Sequence, residues 1–402
     1  MSLPSVRSLV RLLSRATAAP IEPTAAADSA EGLARRNLFG PTSAMKRRLA
    51  VAGLFGTRCG LQRGAILMVK DFQARGFEVH AIDLSSALGW ARDAPFPEAL
   101  APDRLAGLRS TDLIIHVNPD RFVDALRALP RSLRRGSNII GYWVWELTVL
   151  PPSWRDSARH CDAIWAPSPF VADTLARQLP DFAGVIRVVP HAVDRDPIPH
   201  RTVESRRIAR RQLGFSEDDF VLGYAFAFYS NYARKNPAAA IDAFRRAFPA
   251  ADAPARLLIR MHDGDAHPHQ RAHLMESVAD DPRIHVVDLA HERLPIVAFY
   301  HALDLYLALS RSEGYGLHLA EAAQAGLPVI ATGWGLSPDI QARAGVHPVD
   351  YRLVPVDDPQ GFFEPGRGAV WAEPDVAHAA RLIEEIRAKI RSSRPVAERV
   401  RE

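Results

Sequence analysis

Short runs of consecutive apolar, often β-branched residues alternate along this chain with longer amphipathic stretches. Apolar runs of that kind are typical of strands buried on both faces of a parallel sheet, and the amphipathic stretches are typical of helices that cover those faces. The pattern therefore predicts an α/β fold with doubly wound, Rossmann-like parallel sheets. In the first half of the chain we predict six strands, at residues 48–55, 77–84, 112–117, 138–144, 163–166 and 185–189.

A second series of strands follows, at residues 220–226, 256–261, 283–287, 303–309 and 328–331. The stretch between the two series is rich in proline, arginine and charge, which is typical of a linker. The prediction is a leader at residues 1–45, an N-terminal domain at 46–196, a hinge at 197–217, a C-terminal domain at 218–375 and a C-terminal helix at 376–402.

Composition narrows the class of protein only slightly. Hydrophobic residues make up 48% of the chain and charged residues 24%, as in an ordinary globular protein, and the net charge is +4. Cys59 and Cys161 are too few for a disulfide framework or a zinc site, so we expect a reducing compartment, by default the cytoplasm. No apolar run is long enough for a membrane span. The mild positive charge suits an anionic donor, a phosphorylated lipid acceptor or a membrane surface, and no nucleic-acid partner is expected.

The leader carries apolar residues at helical spacing between Leu3 and Leu13, with arginines on the other faces. This pattern is that of a short basic amphipathic helix on an anionic membrane, which would give peripheral contact with the inner face of the membrane. It also resembles a transit peptide. A partly disordered leader, or a helix packed on the body of the protein, is the favoured alternative because such short patterns arise easily.

The most informative motif is a pair of carboxylates, Glu313 and Glu321, eight positions apart between two predicted strands. Gly314 and Gly316 would let the backbone approach a ligand, and the N–H groups at the start of the following helix, near Leu317, could hold an anion. Glu321 would then lie one turn into that helix, about 6 Å along its axis from the anion. Such spacing lets one carboxylate meet each end of a nucleotide sugar, since carboxylates accept hydrogen bonds from sugar hydroxyls.

This motif resembles the E-x7-E signature of retaining glycosyltransferases of family 4, enzymes of the GT-B fold. Further segments are similar to those enzymes in order and spacing: residues 141–147, 164–170, 188–194, 234–237 and 371–375. The resemblance covers most of the chain from about residue 47 to residue 375. It implies two Rossmann-like domains facing each other across a cleft, with the N-terminal domain (46–196) on the acceptor side and the C-terminal domain (218–375) binding the nucleotide sugar. It also implies transfer of a sugar with retention of configuration.

Arg234 and Lys235 follow the first strand of the second domain and precede a helix that Pro237 could open. Two adjacent cations there suit a diphosphate, because they would neutralise the charge that grows on the leaving group. A bare Arg-Lys pair is otherwise a solvated basic turn. Similar enzymes often have a further arginine about six residues before the lysine, where this chain has Tyr229, so either Arg234 or a group of the first domain takes that role.

Two segments of the first domain are weaker candidates. Glycines surround the turn after the first strand, and Gly56 is assigned to donor binding there, although such glycines often serve only tight packing. Trp143 and Trp145 alternate with Val144, so both rings belong to the core or both face the acceptor. Trp145 and Glu146 are the predicted acceptor-binding pair. The alternative for Glu146, in a region where many relatives carry a histidine, is a carboxylate that caps the helix after Pro151.

No cofactor and no metal requirement is expected, because basic side chains and a helix terminus can take the leaving charge. The segment 262–269 contains D-x-D and three histidines, but it is more simply a polar loop near the nucleotide base. The hypothesis is a hexosyltransferase that uses a GDP- or UDP-sugar and a glycan or lipid-linked acceptor, with Glu313, Lys235 and Arg234 catalytic and with Glu321, Tyr315, Gly316, Leu317 and Gly56 binding the donor. Bacterial surface or exopolysaccharide synthesis is the expected setting. The alternatives are a non-catalytic nucleotide-sugar-binding protein, a phosphorylase or an epimerase.

Overall fold

The computed structural model describes residues 48–363 and 368–393 of the chain, which separates into two compact units. Unit 1 comprises Met1–Trp145 and Leu150–Asp196, and unit 2 comprises Glu146–Val149 and Pro197–Glu402. The predicted leader, and the last residues of the predicted C-terminal helix from position 394, lie outside the described residues.

Unit 1 is built on a six-stranded sheet in which every neighbouring pair is parallel. Its strands are β1 (Arg48–Gly53), β2 (Glu78–Asp83), β3 (Asp112–His116), β4 (Asn138–Tyr142), β5 (Ala163–Ala166) and β6 (Ile186–Val188), in the order β2-β1-β3-β4-β5-β6. Its α-helices are α1 (Gly60–Ala74), α2 (Pro119–Ala128), α3 (Arg131–Gly136), α4 (Trp154–Ala158) and α5 (Pro169–Gln178). All six predicted strands are confirmed, with ends that differ by one or two residues at most.

The core of unit 1 explains why the apolar pattern predicted these strands. All five residues of β3 are buried, and so are all residues of β1 after Arg48, because helices cover both faces of the sheet. Helix α5 begins as predicted: the hydroxyl of Ser168 accepts a hydrogen bond from the N–H of Val171, which caps the helix.

Unit 2 contains the second parallel sheet. Its strands are β7 (Phe220–Ala227), β8 (Ala255–His262), β9 (Ile284–Asp288), β10 (Leu305–Ala308), β11 (Val329–Thr332) and β12 (Val346–Val349), in the order β12-β11-β10-β7-β8-β9. Its helices are α6 (Val203–Leu213), α7 (Tyr232–Lys235), α8 (Pro237–Ala247), α9 (Pro268–Val278), α10 (Ile296–Ala302), α11 (Leu317–Gln324), α12 (Pro338–Gln341) and α13 (Val376–Ser393). The five predicted strands are confirmed here as well.

Helix α13 packs against the core of unit 2. Ile383 and Ile386 are buried in the same cluster as Phe244 of α8, and the predicted apolar partners Leu382 and Ile390 pack against that cluster. The predicted apolar side of this helix is therefore confirmed.

The predicted hinge at residues 197–217 contains helix α6. Thr202 and Ser205 form a capping box at its start, and Gly214 ends it in the left-handed conformation. Arg210 on this helix is completely buried and pairs with Asp304, at 2.5 Å between Nη2 and Oδ2. The high charge of this segment predicted a linker. In the structure, Arg210 pairs with Asp304 instead, and the segment is a packed part of unit 2.

A two-stranded antiparallel sheet, formed by β13 (Tyr351–Pro355) and β14 (Val370–Pro374), was not predicted. Its first strand has the sequence Tyr-Arg-Leu-Val-Pro and remains largely exposed, so it lacks the long buried apolar run that marked the other strands. Among the described residues, no helix is long and apolar enough to cross a membrane.

Candidate active site

The turn after β7 brings Arg234 and Lys235 into one short helix. Asn231 and Asn236, on either side of it, have positive φ angles of 72° and 55°, a conformation that asparagine tolerates better than most residues. The side chain of Asn231 accepts a hydrogen bond from the N–H of Arg234 at 2.8 Å. Pro237 then opens α8 at its first position, as predicted. The backbone conformation of this turn therefore holds Arg234 and Lys235 directly after the first strand of unit 2.

Arg234 is held in place by backbone carbonyls. Its guanidinium donates to the carbonyl oxygens of Ser230 and Ser312, at 2.8 and 2.7 Å, and its side chain is 4% exposed. The carboxylates of Glu313 and Glu146 lie 3.5 and 3.6 Å from it. This is not the solvated basic turn that was the alternative reading of the sequence.

Lys235 forms an ion pair with Glu313, with 2.7 Å between Nζ and Oε1. Burial by itself would raise the pKa of Glu313, but the charges of Lys235 and Arg234 outweigh burial and lower that pKa to about 2. Glu313 is therefore an anion at neutral pH. Two cations and an anion at the end of a strand form a polar corner, which we call the Arg-Lys corner (Arg234, Lys235 and Glu313).

Glu146 joins the Arg-Lys corner from a segment far earlier in the sequence. Its carbonyl oxygen accepts a hydrogen bond from the hydroxyl of Ser312. Burial raises the pKa of its carboxyl, Arg234 opposes the rise and Glu313 adds to it. The alternative of a helix cap is wrong, because Ser153 occupies the N-cap position of α4 and that position has no side-chain capping bond.

Helix α11 begins at Leu317, as predicted, after Gly316 at a φ angle of 94°. A Cβ atom on Gly316 would come within 2.7 Å of Leu319, so only glycine fits this position without strain. Glu321 lies one turn into α11 and is buried. The hydroxyl of Tyr300 donates to its carboxylate at 3.4 Å, and Nδ1 of His318 lies 4.0 Å from the same oxygen.

The side chain of Tyr315, by contrast, is engaged elsewhere. It is buried, and its hydroxyl donates to Asp339 at 2.7 Å. Its predicted role concerns its backbone, which this contact leaves in place beside Gly316.

Gly56 and Trp145 lie in unit 1. The N–H of Gly56 donates to Asp83 and Ser85, at 3.0 and 2.9 Å, and a Cβ atom at this position would meet Asp83 at 2.7 Å. These contacts favour the packing alternative for this glycine.

Trp143 and Trp145 are both buried, and both rings pack edge-on against Trp154. The pair therefore belongs to the core, and Trp145 presents no exposed ring face for a sugar.

The sequence did not indicate several contact residues, because they come from separate segments. Ser312 adjoins Glu313, but only the fold shows that its hydroxyl and carbonyl join Glu146 to Arg234. Tyr300 and His318 also reach Glu321. Tyr229, where similar enzymes often have arginine, packs its ring 5.6 Å from that of His262. Arg234, beside Glu313 and Glu146, is the arginine that the structure places at this corner.

A group of possible metal ligands lies at the ends of β8 and β9. Of the D-x-D motif noted in the sequence, it contains only Asp265. Asp265, Asp288 and His291 have ligand atoms within 4.8 Å of one another. Arg271 already forms an ion pair with Asp288 at 2.8 Å. Arg271 offsets one of the two carboxylate charges and His291 contacts the other at 3.2 Å, so the protein itself supplies partners for both carboxylates.

One family of known proteins matches part of unit 2. Residues 223–365 match the family described as "Glycosyl transferases group 1". That range includes the Arg-Lys corner and the whole of α11. No curated protein sequence matches the chain.

Solved structures share the fold at low sequence identity. A glycosyltransferase from Rickettsia africae ESF-5 has a TM-score of 0.56 at 12% identity, covering 86% of this chain and 89% of the other. Anabaena Alr3699/HepE, solved in complex with UDP, has a TM-score of 0.55 at 14% identity, covering 87% and 91%. WaaG, a glycosyltransferase involved in lipopolysaccharide biosynthesis, has a TM-score of 0.53 at 16% identity, covering 84% and 90%. The chain therefore has the GT-B fold, with two Rossmann-like units.

Proposed function

We propose that the protein is a retaining glycosyltransferase of family 4, which moves a hexose from a GDP- or UDP-sugar to a hydroxyl of a glycan or lipid-linked glycan. The observation that carries the proposal is the Arg-Lys corner. Two buried cations and one carboxylate lie at the carboxyl end of the first strand of unit 2, where open parallel sheets bind ligands.

Arg234 and Lys235 would bind the diphosphate of the donor. As the bond between the anomeric carbon and the phosphate oxygen breaks, the diphosphate gains negative charge, and both cations stabilise that charge without reorganising. Glu313, an anion at neutral pH, would contact the transferred sugar and stabilise positive charge at its anomeric carbon. The backbone from Tyr315 to Leu317 would complete the phosphate pocket at the start of α11.

Glu321 would hold the ribose hydroxyls, oriented by the hydrogen bond from Tyr300. No side chain is assigned as a covalent nucleophile. The acceptor hydroxyl would therefore attack from the face that the diphosphate leaves, and its proton would pass to the leaving phosphate oxygen. Glu146, whose carboxyl has a raised pKa beside Arg234, would accept a hydrogen bond from the acceptor hydroxyl.

Bacterial surface or exopolysaccharide synthesis is the proposed setting. Among proteins of the same fold, WaaG acts in lipopolysaccharide biosynthesis, which supports this choice. We propose that the protein works in the cytoplasm, with peripheral contact to the membrane when its acceptor is lipid-linked, and that it needs no metal.

A thermal-shift screen across nucleoside diphosphates tests the donor site first, since a ligand stabilises the folded state once its concentration exceeds its Kd. Labelled GDP-mannose, UDP-glucose and UDP-N-acetylglucosamine are then incubated with the protein, with and without acceptor. If the acceptor accelerates release of the nucleotide, this result supports a transferase. Tight binding of a donor without release would instead identify a binding protein.

A further inference from the structure

Unit 2 contains a pocket next to the turn that carries Arg234 and Lys235. It is a cavity of about 630 Å³ between the start of α7, helix α9 and the sheet formed by β13 and β14. The size is within the range of protein sites for small molecules. We call it the hairpin pocket; the residues that decide its chemistry are Tyr232, His269, Arg352, Val354, Asp357 and Glu373.

The floor of the hairpin pocket is continuous with the Arg-Lys corner. Tyr232 and Ala233 line the pocket and directly precede Arg234. Arg311, which also lines it, donates to the carbonyl of Ala233, and its own N–H donates to the carbonyl of Arg234 at 2.8 Å. A ligand in the pocket would therefore lie one residue from the proposed diphosphate site.

The polar groups of the hairpin pocket point to a neutral ligand. Its formally charged lining residues are Arg311, Arg352, Asp357 and Glu373, whose charges cancel. Arg311 is already paired with Glu373 at 2.6 Å. An isolated phosphate or carboxylate ligand would meet two carboxylates, and a cation would meet two guanidinium groups.

Several side chains in the pocket have hydrogen-bonding capacity to spare. The side chains of Arg352, His269, Gln270 and Asp357 make no hydrogen bond or ion pair with any other residue in the described ranges 48–363 and 368–393. Together they offer both donors and acceptors, as sugar hydroxyls require. Tyr232 adds an aromatic surface: its ring stacks on Phe228 with centroids 5.6 Å apart, and burial raises the pKa of its hydroxyl to about 12, so that it remains a neutral donor.

We propose that the hairpin pocket binds a neutral oligosaccharide, the part of the acceptor glycan that lies away from the reacting hydroxyl. This proposal rests on the proposed function, because an acceptor is meaningful only for a transferase. It deepens that function by assigning the acceptor class, a glycan of several residues, to a site built entirely from unit 2.

The strand β13 offers a matched pair of variants to test the pocket. Val354 lines the pocket and pairs with Trp371 across the sheet, while its neighbour Leu353 points to the opposite face and is 52% exposed. Val354→Trp fills the pocket, and Leu353→Trp makes the same change in bulk outside it. Arg352→Ala is a second pocket variant, which removes hydrogen-bonding capacity without adding bulk.

Binding of cellotetraose, mannotetraose, chitotetraose and inorganic pyrophosphate to the full chain is measured by calorimetry, alongside UDP and GDP. We expect at least one tetrasaccharide to bind, with an affinity at least tenfold weaker for Val354→Trp and for Arg352→Ala and unchanged for Leu353→Trp. The proposal is overturned by wild-type protein that binds a nucleotide but no tetrasaccharide, by equal losses in both tryptophan variants, or by pyrophosphate that displaces the saccharide. A protein that binds a tetrasaccharide at this pocket but no nucleotide overturns the proposed function and leaves the saccharide site standing.

Discussion

Arg234 and Lys235 are adjacent in sequence, but their side chains are fixed in different ways. Carbonyl oxygens of Ser230 and Ser312 hold the guanidinium of Arg234, whereas the ammonium of Lys235 has the carboxylate of Glu313 as its partner. Arg234 is thus positioned by the backbone before any ligand arrives. Lys235 can exchange one anionic partner for another, which suits a group that follows the charge on a leaving phosphate.

Lys235→Ala should lower turnover at least tenfold, which corresponds to about 1.4 kcal/mol of lost transition-state stabilisation. The physical reason is the loss of one of the two charges that we propose stabilise the leaving diphosphate. The measurement is steady-state kinetics with the donor found in the nucleotide screen. Lys389→Ala, at an exposed position of α13, is the control and should retain the wild-type rate. Wild-type turnover in Lys235→Ala would show that this lysine does not stabilise the leaving group.

Glu321→Gln should weaken binding of the nucleoside diphosphate about tenfold, because a hydrogen bond to a charged group contributes about 1.5–3 kcal/mol. The substitution keeps the shape of the side chain and its contact with Tyr300, so the fold should be preserved. The Kd is measured by calorimetry. Glu384→Gln, an exposed glutamate on α13, is the matched control. Equal affinities for wild-type and Glu321→Gln protein would contradict the ribose role.

At the scale of elements, the sequence predicted well wherever a buried parallel strand imposes a continuous apolar run, as in β1, β3 and β7. It missed β13, a short and largely exposed strand that contains Arg352 and ends at Pro355 and therefore carries no such signal. Local chemistry also predicted the start of α11 at Leu317 and the first position of α8 at Pro237.

The candidate site was predictable only in part, for the same physical reason. The spacing of Glu313 and Glu321 is local to one turn and one helix, so the sequence contains it. The contact between Glu146 and Arg234 joins distant segments, and the packing that decides it is not visible in either segment. Trp145 was misplaced because period-two alternation tells which rings share a face and not which face is buried.

Helix α6 supplies a prediction about the stability of unit 2. Arg210 is completely buried and donates to Asp304 and to the carbonyl oxygens of Ala302 and Asp219. Arg210→Met would leave Asp304 buried with less compensation, and breaking a buried ion pair by removing one partner costs about 3–5 kcal/mol. We expect a loss of that size in urea unfolding of unit 2.

The control for this prediction is on the same helix. Arg207 pairs with Glu204 and Glu217 at the surface, with a side chain that is 40% exposed. Exposed pairs contribute about 0–1 kcal/mol, so Arg207→Met should change the free energy of unfolding very little. Similar losses in both variants would mean that α6 is stabilised by its arginine side chains in general and not by the buried pair.

At the scale of the whole molecule, the two units differ in what their sheets bury at the carboxyl edge. In unit 2 that edge has the ionised Arg-Lys corner. In unit 1 it has imidazoles: His116 is completely buried, its ring stacks on that of Tyr142 with centroids 4.3 Å apart, and the ring of His191 lies 6.0 Å away. Neither ring nitrogen of His116 has a hydrogen-bond partner among the described residues. A neutral pair of imidazoles is tolerated there, whereas a charged one would not be solvated.

Unit 1 should therefore lose stability in mild acid. Burial lowers the pKa of His116 from 6.5 to about 4, and burial, with the charges of His116 and Arg63, lowers that of His191. The unfolded chain then binds more protons than the folded one between these two pKa values. The free energy of unfolding should fall as pH drops from about 6.5 to about 4, by about 3 kcal/mol for His116 alone, and the contribution is absent above pH 6.5.

Urea unfolding at a series of pH values measures this loss, and tryptophan fluorescence reports mainly on unit 1, which contains five of the seven tryptophans. His116→Leu removes the titrating group from the apolar site, so the variant should take up about one proton fewer on unfolding in this pH range. The slope of its free energy of unfolding against pH should then be smaller by about 1.4 kcal/mol per pH unit. His160→Leu changes an exposed histidine of the same unit and should keep the wild-type slope. If His116→Leu also kept that slope, the acid sensitivity would have to come from other groups. Removing a histidine that takes up a proton only on unfolding must change the number of protons bound on unfolding, and therefore the slope.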